Sequence, residues 1–143
     1  MSGENKVLVV VDTNVLVSSL FSLDGLSNPA IIIRAILEGK IIPLYNDEIL
    51  DEYRDVLSRP KFPFDNLIIN TIVSAFRDFG IDTQKSKVPD EMFPDPDDIV
   101  FYEVKMSVDD AYLITGNIKH FPKNPLVVTP LQMVEVLRRK GLV

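Results

Sequence analysis

The chain contains no cysteine, no tryptophan and only one histidine among its 143 residues. Without cysteine it can form no disulfide, no thiolate zinc site and no cysteine nucleophile. A single histidine also excludes a zinc site built from several imidazoles. Because the absence of cysteine fits a reducing compartment, we expect a cytoplasmic protein.

Long apolar runs are missing as well. None approaches the roughly 20 residues that a membrane-spanning helix needs, so we expect no membrane attachment. The first apolar run, Val7 to Val11, is only five residues long and too short for the apolar part of a secretory signal. Hydrophobic residues make up 46% of the chain and charged residues 25%, which is typical of a globular protein. The length predicts a single domain over residues 1–143.

Basic residues are fewer than acidic ones. Lys and Arg number 15 and Asp and Glu number 21, so the formal net charge is −6. On its own this charge argues against a basic surface that wraps nucleic acid, and it favours a cation as ligand.

Strands and helices alternate along the chain. Val7–Val11 is a β-branched run suited to a strand buried on both faces. Other apolar runs predict strands at 41–45, 111–115 and 126–128, with a weaker one at 81–88. Helical spacing and capping residues predict helices between Ser27 and Gly39, at 47–58, 64–79 and 97–106, and between Thr129 and Gly141. This alternation predicts an α/β fold with a mostly parallel sheet covered on both faces.

Polar side chains follow two of the predicted strands. Asp12 and Asn14 come directly after the first strand, and Asn117 comes after the strand that ends at Thr115. In a parallel sheet, sites lie beyond the carboxyl ends of the strands. Each residue alone could be an ordinary turn or capping residue.

Two further acidic segments fall near helix starts. Glu52 lies on the predicted helix 47–58, beside its apolar stripe, and the proline-stiffened loop Pro89–Pro96 leads from Asp90 into Asp95 and Asp98. Carboxylate and amide oxygens form the donor set that Mg²⁺ or Mn²⁺ prefers. The lone His120 is more typical of a surface histidine than of a ligand, so no role is predicted for it.

Four blocks of sequence carry a resemblance to a known family. They are 9–18, with Asp12-Thr13-Asn14; 48–62; Asp95-Pro96-Asp97-Asp98 with Phe101; and 110–117 with Lys119-His120-Phe121-Pro122. From Val7 to Leu137 the chain resembles PIN domains, and in particular the toxin components of prokaryotic toxin–antitoxin systems. The last block is the most specific to that subgroup. The resemblance implies a three-layer α/β/α fold with a short, mostly parallel central sheet.

The resemblance also implies a function, that of an endoribonuclease that hydrolyses RNA phosphodiester bonds with Mg²⁺ or Mn²⁺. The implied catalytic residues are Asp12, Glu52, Asp98 and Asn117, and the implied metal ligands are Asp12, Glu52, Asp95 and Asp98. Asn14 and Thr115 match polar positions that support the first acid. Asn117 departs from the family pattern, because an amide stands where the fourth acid is expected and adds no negative charge.

Partners follow from the same resemblance. RNA would be held through its phosphates by Arg59, Lys61 and Lys119, with Arg54 and Lys123 as further candidates. A toxin of this kind would bind a cognate antitoxin protein and would form a homodimer.

Other functions stay open at this point. A PIN-like module that lacks one acid could bind RNA or protein without cutting it. An aspartyl-nucleophile phosphatase also places an Asp after its first strand, but it usually has a second Asp two residues later, where this chain has Asn14. A dinucleotide-binding fold would need a glycine-rich turn at Thr13-Asn14-Val15.

Overall fold

The structure is a computed structural model and describes residues 6–88 and 93–143. Five strands form one sheet, in the order β3-β2-β1-β4-β5, and every pairing between neighbouring strands is parallel. The strands are β1 (Val7–Val11), β2 (Ile41–Tyr45), β3 (Ile81–Asp82), β4 (Tyr112–Ile114) and β5 (Val127–Val128). All five therefore end at the same edge of the sheet.

Within the described residues, six α-helices flank this sheet. They are α1 (Thr13–Leu20), α2 (Asn28–Leu37), α3 (Asp47–Leu57), α4 (Asn66–Phe79), α5 (Ile99–Met106) and α6 (Pro130–Arg139). Short 3₁₀ helices lie at Pro96–Asp98 and Ile118–His120. The α/β class and the parallel sheet predicted from the sequence are confirmed.

The central strand explains why the site lies where it does. Val9 of β1 lies opposite Pro43 of β2 on one side and Tyr112 of β4 on the other. Val9, Val10 and Val11 are fully buried, as expected for a β-branched run covered on both faces. The residue that follows β1 is consequently placed in the middle of the carboxyl edge.

Helix α1 was not predicted from the sequence. It starts at Thr13, immediately after β1, in a segment whose Thr, Asn and β-branched Val residues have low helix propensity. Val15 and Leu16 are buried in the core. Tertiary packing of this apolar face therefore stabilises a helix that local propensity does not favour.

Two other elements differ from the prediction in their limits. The strand predicted at 81–88 pairs only at Ile81–Asp82, because beyond Thr83 the chain leaves β2, and the Ser86 N–H donates instead to the Glu103 carbonyl. The helix predicted from Asp97 begins with the 3₁₀ turn at Pro96, and α5 starts at Ile99. Part of the predicted loop Pro89–Pro96, residues 89–92, lies outside the described residues.

The described helices can be compared with the length that a membrane-spanning helix needs. In the part of the chain that the structure describes, no helix is both long and apolar enough to span a lipid bilayer.

Candidate active site

Asp12 lies at the centre of the carboxyl edge of the sheet. It is the N-cap of α1 and only 4% exposed. Thr115 Oγ1 donates to Asp12 Oδ2 at 2.8 Å, and Asn14 Nδ2 donates to the same oxygen at 3.0 Å. These two bonds fix one carboxylate oxygen and connect the end of β1 to the end of β4.

The turn after β4 completes this network. The Asn117 N–H donates to Thr115 Oγ1 at 3.0 Å, and the Gly116 N–H donates to Asn14 Oδ1 at 3.1 Å. A Cβ atom at Gly116 would lie 3.3 Å from Asn14 Oδ1, so glycine permits this close approach. Asn14 and Thr115, predicted from the resemblance to support the first acid, both contact it.

Glu52 reaches the same edge from α3. The Asn46 side chain caps this helix by accepting from the Ile49 N–H at 2.9 Å. The fully buried Tyr53 donates its hydroxyl to the carbonyl of Val11, the residue before Asp12. Helix α3 is thereby attached to the end of β1, and Glu52 lines the same cleft as Asp12.

Asp98 comes from the turn before α5, and it has a partner that sequence reasoning missed. Asp98 is 8% exposed, and its Oδ2 lies 3.1 Å from Nδ1 of His120. His120 is partly exposed and lines the cleft, and its contact with Asp98 was not predicted from the sequence. Its distance of 22 positions from Asp98 gives no pairing signal in the sequence, and only the fold brings the two together.

These side chains meet in a cleft of about 340 Å³. Its walls include every residue predicted to be catalytic or metal-binding, together with residues for which no such role was predicted; the polar ones are Asp12, Thr13, Asn14, Ser18, Glu52, Arg59, Asp95, Asp97, Asp98, Asn117 and His120. Thr115 is fully buried behind Asp12.

Most of the cations predicted to bind RNA do not line the cleft. Arg59 lines the cleft and pairs with Asp55 at 3.2 Å. Lys61 and Lys119 are exposed and outside the cleft walls, as is Lys123. Arg54 pairs with Asp51 at 3.2 Å. Only Arg59 is therefore positioned at the cleft itself.

The acids of the cleft repel one another. Burial raises the pKa of Asp98 to about 6, with further contributions from the charges of Asp12 and Asp95, while His120 acts in the opposite direction. Burial also raises the pKa of Asp12, against the hydrogen bonds from Thr115 and Asn14.

The environment of Glu52 also disfavours the ionised carboxylate. Burial raises its pKa, and the charges of Asp97 and Asp55 add to this effect, whereas Arg59 lowers it. The cleft therefore concentrates negative charge that its own cations do not neutralise.

This donor set fits a hydrated divalent cation. Among residues 6–88 and 93–143, no three Asp, Glu or His side chains are arranged to hold a metal ion as they stand. Mg²⁺ usually keeps several waters and binds proteins through one or two carboxylates. Carboxylate oxygens facing one cleft, without thiolates, match that preference.

A second groove, of about 740 Å³, adjoins the cleft between α3 and α5. The two share Glu52 and Asp97, and the groove adds the acids Glu48, Asp51, Asp55 and Glu103. Its Lys85 pairs with Glu48 and with the buried Glu103, the latter at 3.6 Å. The groove also contains Lys87, but its six acids outnumber its two lysines, so it is predominantly acidic.

Comparison with known proteins identifies the family of this chain. A family model described as PIN domain matches residues 8–119. Comparisons with curated proteins and with solved structures gave no significant match. The matched region covers most of the chain and carries the cleft from Asp12 to Asn117, so the chain belongs to the PIN domain family, whose members are generally metal-dependent nucleases.

Proposed function

We propose that this protein is a metal-dependent endoribonuclease that hydrolyses RNA phosphodiester bonds, and that it is the toxin of a toxin–antitoxin pair. The observation that carries the proposal is the convergence of Asp12, Glu52 and Asp98 on one cleft, each with a raised pKa. An acidic cleft of this kind binds a divalent cation more favourably than it binds an anion.

Each residue has a role that follows from its contacts. Asp12, Glu52 and Asp98, assisted by Asp95, would hold Mg²⁺ or Mn²⁺. Such an ion supplies Lewis-acid activation of water and stabilises charge on the scissile phosphate.

The surrounding residues position these groups. Thr115 and Asn14 fix Asp12 Oδ2 and leave the other oxygen of that carboxylate free of side-chain donors from the described residues. His120 orients Asp98. Asn117 contributes a neutral amide at the cleft wall, and Arg59 supplies a cation for a phosphate.

The biological role rests on the similarity of the 110–122 block to toxins. We propose that the protein acts in the cytoplasm as a homodimer and that a cognate antitoxin binds over the acidic cleft. Co-purification with the product of the neighbouring reading frame, together with loss of RNA cleavage in the complex, tests this part.

The nuclease activity is tested with Asp12→Asn. We expect the wild type to cleave single-stranded RNA with Mg²⁺ or Mn²⁺, leaving 5′-phosphate and 3′-hydroxyl ends, and the variant to lose cleavage while its circular dichroism spectrum is unchanged. Asp78→Asn, on the exposed side of α4, is the matched control and should cleave normally. A variant Asp12→Asn that cuts RNA at the wild-type rate in Mn²⁺ would show that the site is wrongly assigned.

A second candidate function is a module that binds RNA or protein without cutting it. Asn117 favours this candidate. An amide stands there where the family pattern has a fourth acid, so the cleft has one negative charge fewer. Absence of cleavage over several RNAs with both metals, combined with measurable RNA binding, would support it over the nuclease.

A further inference from the structure

Three phenylalanines form a cluster outside the hydrophobic core, which we call the phenylalanine cluster (Phe21, Phe62 and Phe64). Phe62 and Phe64 stack with centroids 5.5 Å apart and planes inclined by 16°. Phe21 lies 5.2 Å from Phe64 and 6.1 Å from Phe62. Phe21 is 50% exposed, and Phe62 is half-buried. The Phe62 ring is therefore only partly covered, with Phe64 stacked against it.

The cluster is continuous with the candidate active site. Phe62 is itself part of the wall of the cleft that contains Asp12 and Asp98. Phe21 is the C-cap of α1, the helix that Asp12 begins. A molecule bound at the carboxylates therefore meets the ring of Phe62 without crossing another part of the surface.

Cations accompany the rings. Lys61 Nζ lies 5.1 Å from the centroid of the Phe62 ring, and Arg59 lines the cleft three residues before Phe62. The groove on the other side of Glu52 is acidic, with Glu48, Asp51, Asp55 and Glu103 in its wall. Six acids against two lysines, Lys85 and Lys87, make that groove unfavourable for a polyanion. Arg59 pairs with Asp55, whereas Lys61 places a cation directly beside the Phe62 ring.

We propose that Phe62, supported by Phe21 and Phe64, is a stacking site for a base of single-stranded RNA next to the scissile phosphate. Aromatic faces beside cations are the elements that bind single strands, because bases stack on the rings while the cations contact phosphates. This inference rests on the proposed function and adds to it a contact between Phe62 and a base of the substrate.

The absence of tryptophan from the chain allows a direct test. In Phe62→Trp the new indole is the only one, and we expect its fluorescence to be quenched immediately after mixing with a single-stranded RNA oligonucleotide and Mg²⁺. The same oligonucleotide with abasic sugars should not quench it. Phe79→Trp, at a ring on α4 that is 46% exposed, is the matched control and should respond to neither.

A second variant measures the contribution to binding. Phe62→Leu keeps apolar packing but removes the aromatic face, and base stacking of the usual strength predicts an RNA affinity lower by roughly 5- to 150-fold. We expect KM to rise while kcat changes little, because the carboxylates are untouched. The abasic oligonucleotide should bind the variant and the wild type equally.

Several results would overturn the inference. One is RNA binding, seen by anisotropy of labelled RNA, that leaves the tryptophan of Phe62→Trp unquenched. Another is equal quenching by the abasic strand. A third is an unchanged RNA affinity of Phe62→Leu together with a changed oligomeric state. That result would indicate that the phenylalanine cluster is a contact between copies of the chain.

The same measurements separate this inference from the nuclease proposal. Base-dependent quenching without any cleavage supports the stacking site and contradicts the nuclease. Cleavage without quenching contradicts only the stacking site. RNA that is neither bound nor cleaved contradicts both.

Discussion

The carboxylate of Asp98 is in an environment that disfavours its ionised form. Its pKa lies at about 6, above the ordinary value of 3.8, so folding favours the protonated carboxyl. The contribution of Asp98 to the free energy of unfolding is then largest below pH 4 and is lost as the pH rises through 6.

Asp98→Asn should accordingly stabilise the metal-free protein at neutral pH. In EDTA at pH 7.5 we expect Tm to rise by roughly 3–6 °C, equivalent to about 1 kcal/mol, because the amide buries no charge and is not repelled by Asp12 and Asp95. At pH 4.5 the wild-type carboxyl is largely protonated and the difference should nearly vanish. Thermal unfolding of Asp98→Asn beside the control Asp78→Asn checks this, and a Tm gain that is equal at both pH values would contradict it.

Asn117 can be tested by restoring the missing charge. Asn117→Asp places another carboxylate on the wall of the cleft, and we expect Mn²⁺ to bind roughly tenfold more tightly, a difference of about 1.4 kcal/mol. Isothermal titration calorimetry measures the change, with the exposed Asn70→Asp on α4 as the control for added charge elsewhere. Unchanged Mn²⁺ affinity would argue against any ligand role for position 117.

The hydroxyl of Tyr53 connects two elements, α3 and β1. Tyr53→Phe removes its bond to the Val11 carbonyl and leaves a buried acceptor with one partner fewer. We expect the free energy of unfolding to fall by about 1 kcal/mol and cleavage to fall further than stability alone explains, because Glu52 loses its fixed position in the cleft wall.

Urea unfolding and cleavage assays of the same preparation test this expectation. Tyr45→Phe is the control, since Tyr45 is a half-buried tyrosine at the end of β2 and does not belong to α3. If both variants lose equal activity, the connection between α3 and β1 is not what positions Glu52.

The sequence predicted the elements whose signal is local and missed those that depend on packing. The β-branched run Val7–Val11 and the capped helix from Asn28 to Leu37 carry their own signals, and the structure has both. Helix α1 forms only because Val15 and Leu16 reach the core. The loss of β3 beyond Asp82 depends on Glu103, some 20 residues later.

The candidate site, like the fold, was only partly predictable from the sequence. The polar residues at strand ends could be picked out from the sequence because parallel strands end at one edge. The contact of His120 with Asp98, and the rings of Phe21 and Phe62 beside the cleft, require the fold. None of these pairs has a characteristic spacing along the chain.

The net charge of −6 no longer argues against an RNA substrate once the positions of the acids are known. Two bound Mg²⁺ ions would change it to −2 and would place positive charge where a phosphate must lie. The excess of acid is therefore compatible with an RNA substrate, provided that metal binds first.

RNA binding should depend on divalent metal for this reason. In EDTA we expect labelled single-stranded RNA to bind weakly, with affinity rising at least about tenfold, or 1.4 kcal/mol, on addition of Mg²⁺. NaCl added to the same ionic strength is the control, since it should not strengthen binding. Tight binding in EDTA would contradict the acidic cleft as the RNA site.

The bond from Thr115 to Asp12 spans 103 positions of the chain, and the pairing of β1 with β4 spans a similar distance. Contacts this distant in sequence form late, because a long loop must close before they contribute. During synthesis, the first acid leaves the ribosome long before the residues that orient it. The proposed nuclease consequently acquires its site only after Thr115 and Asn117 have been translated, so shorter nascent chains would be harmless to the messenger RNA that encodes them.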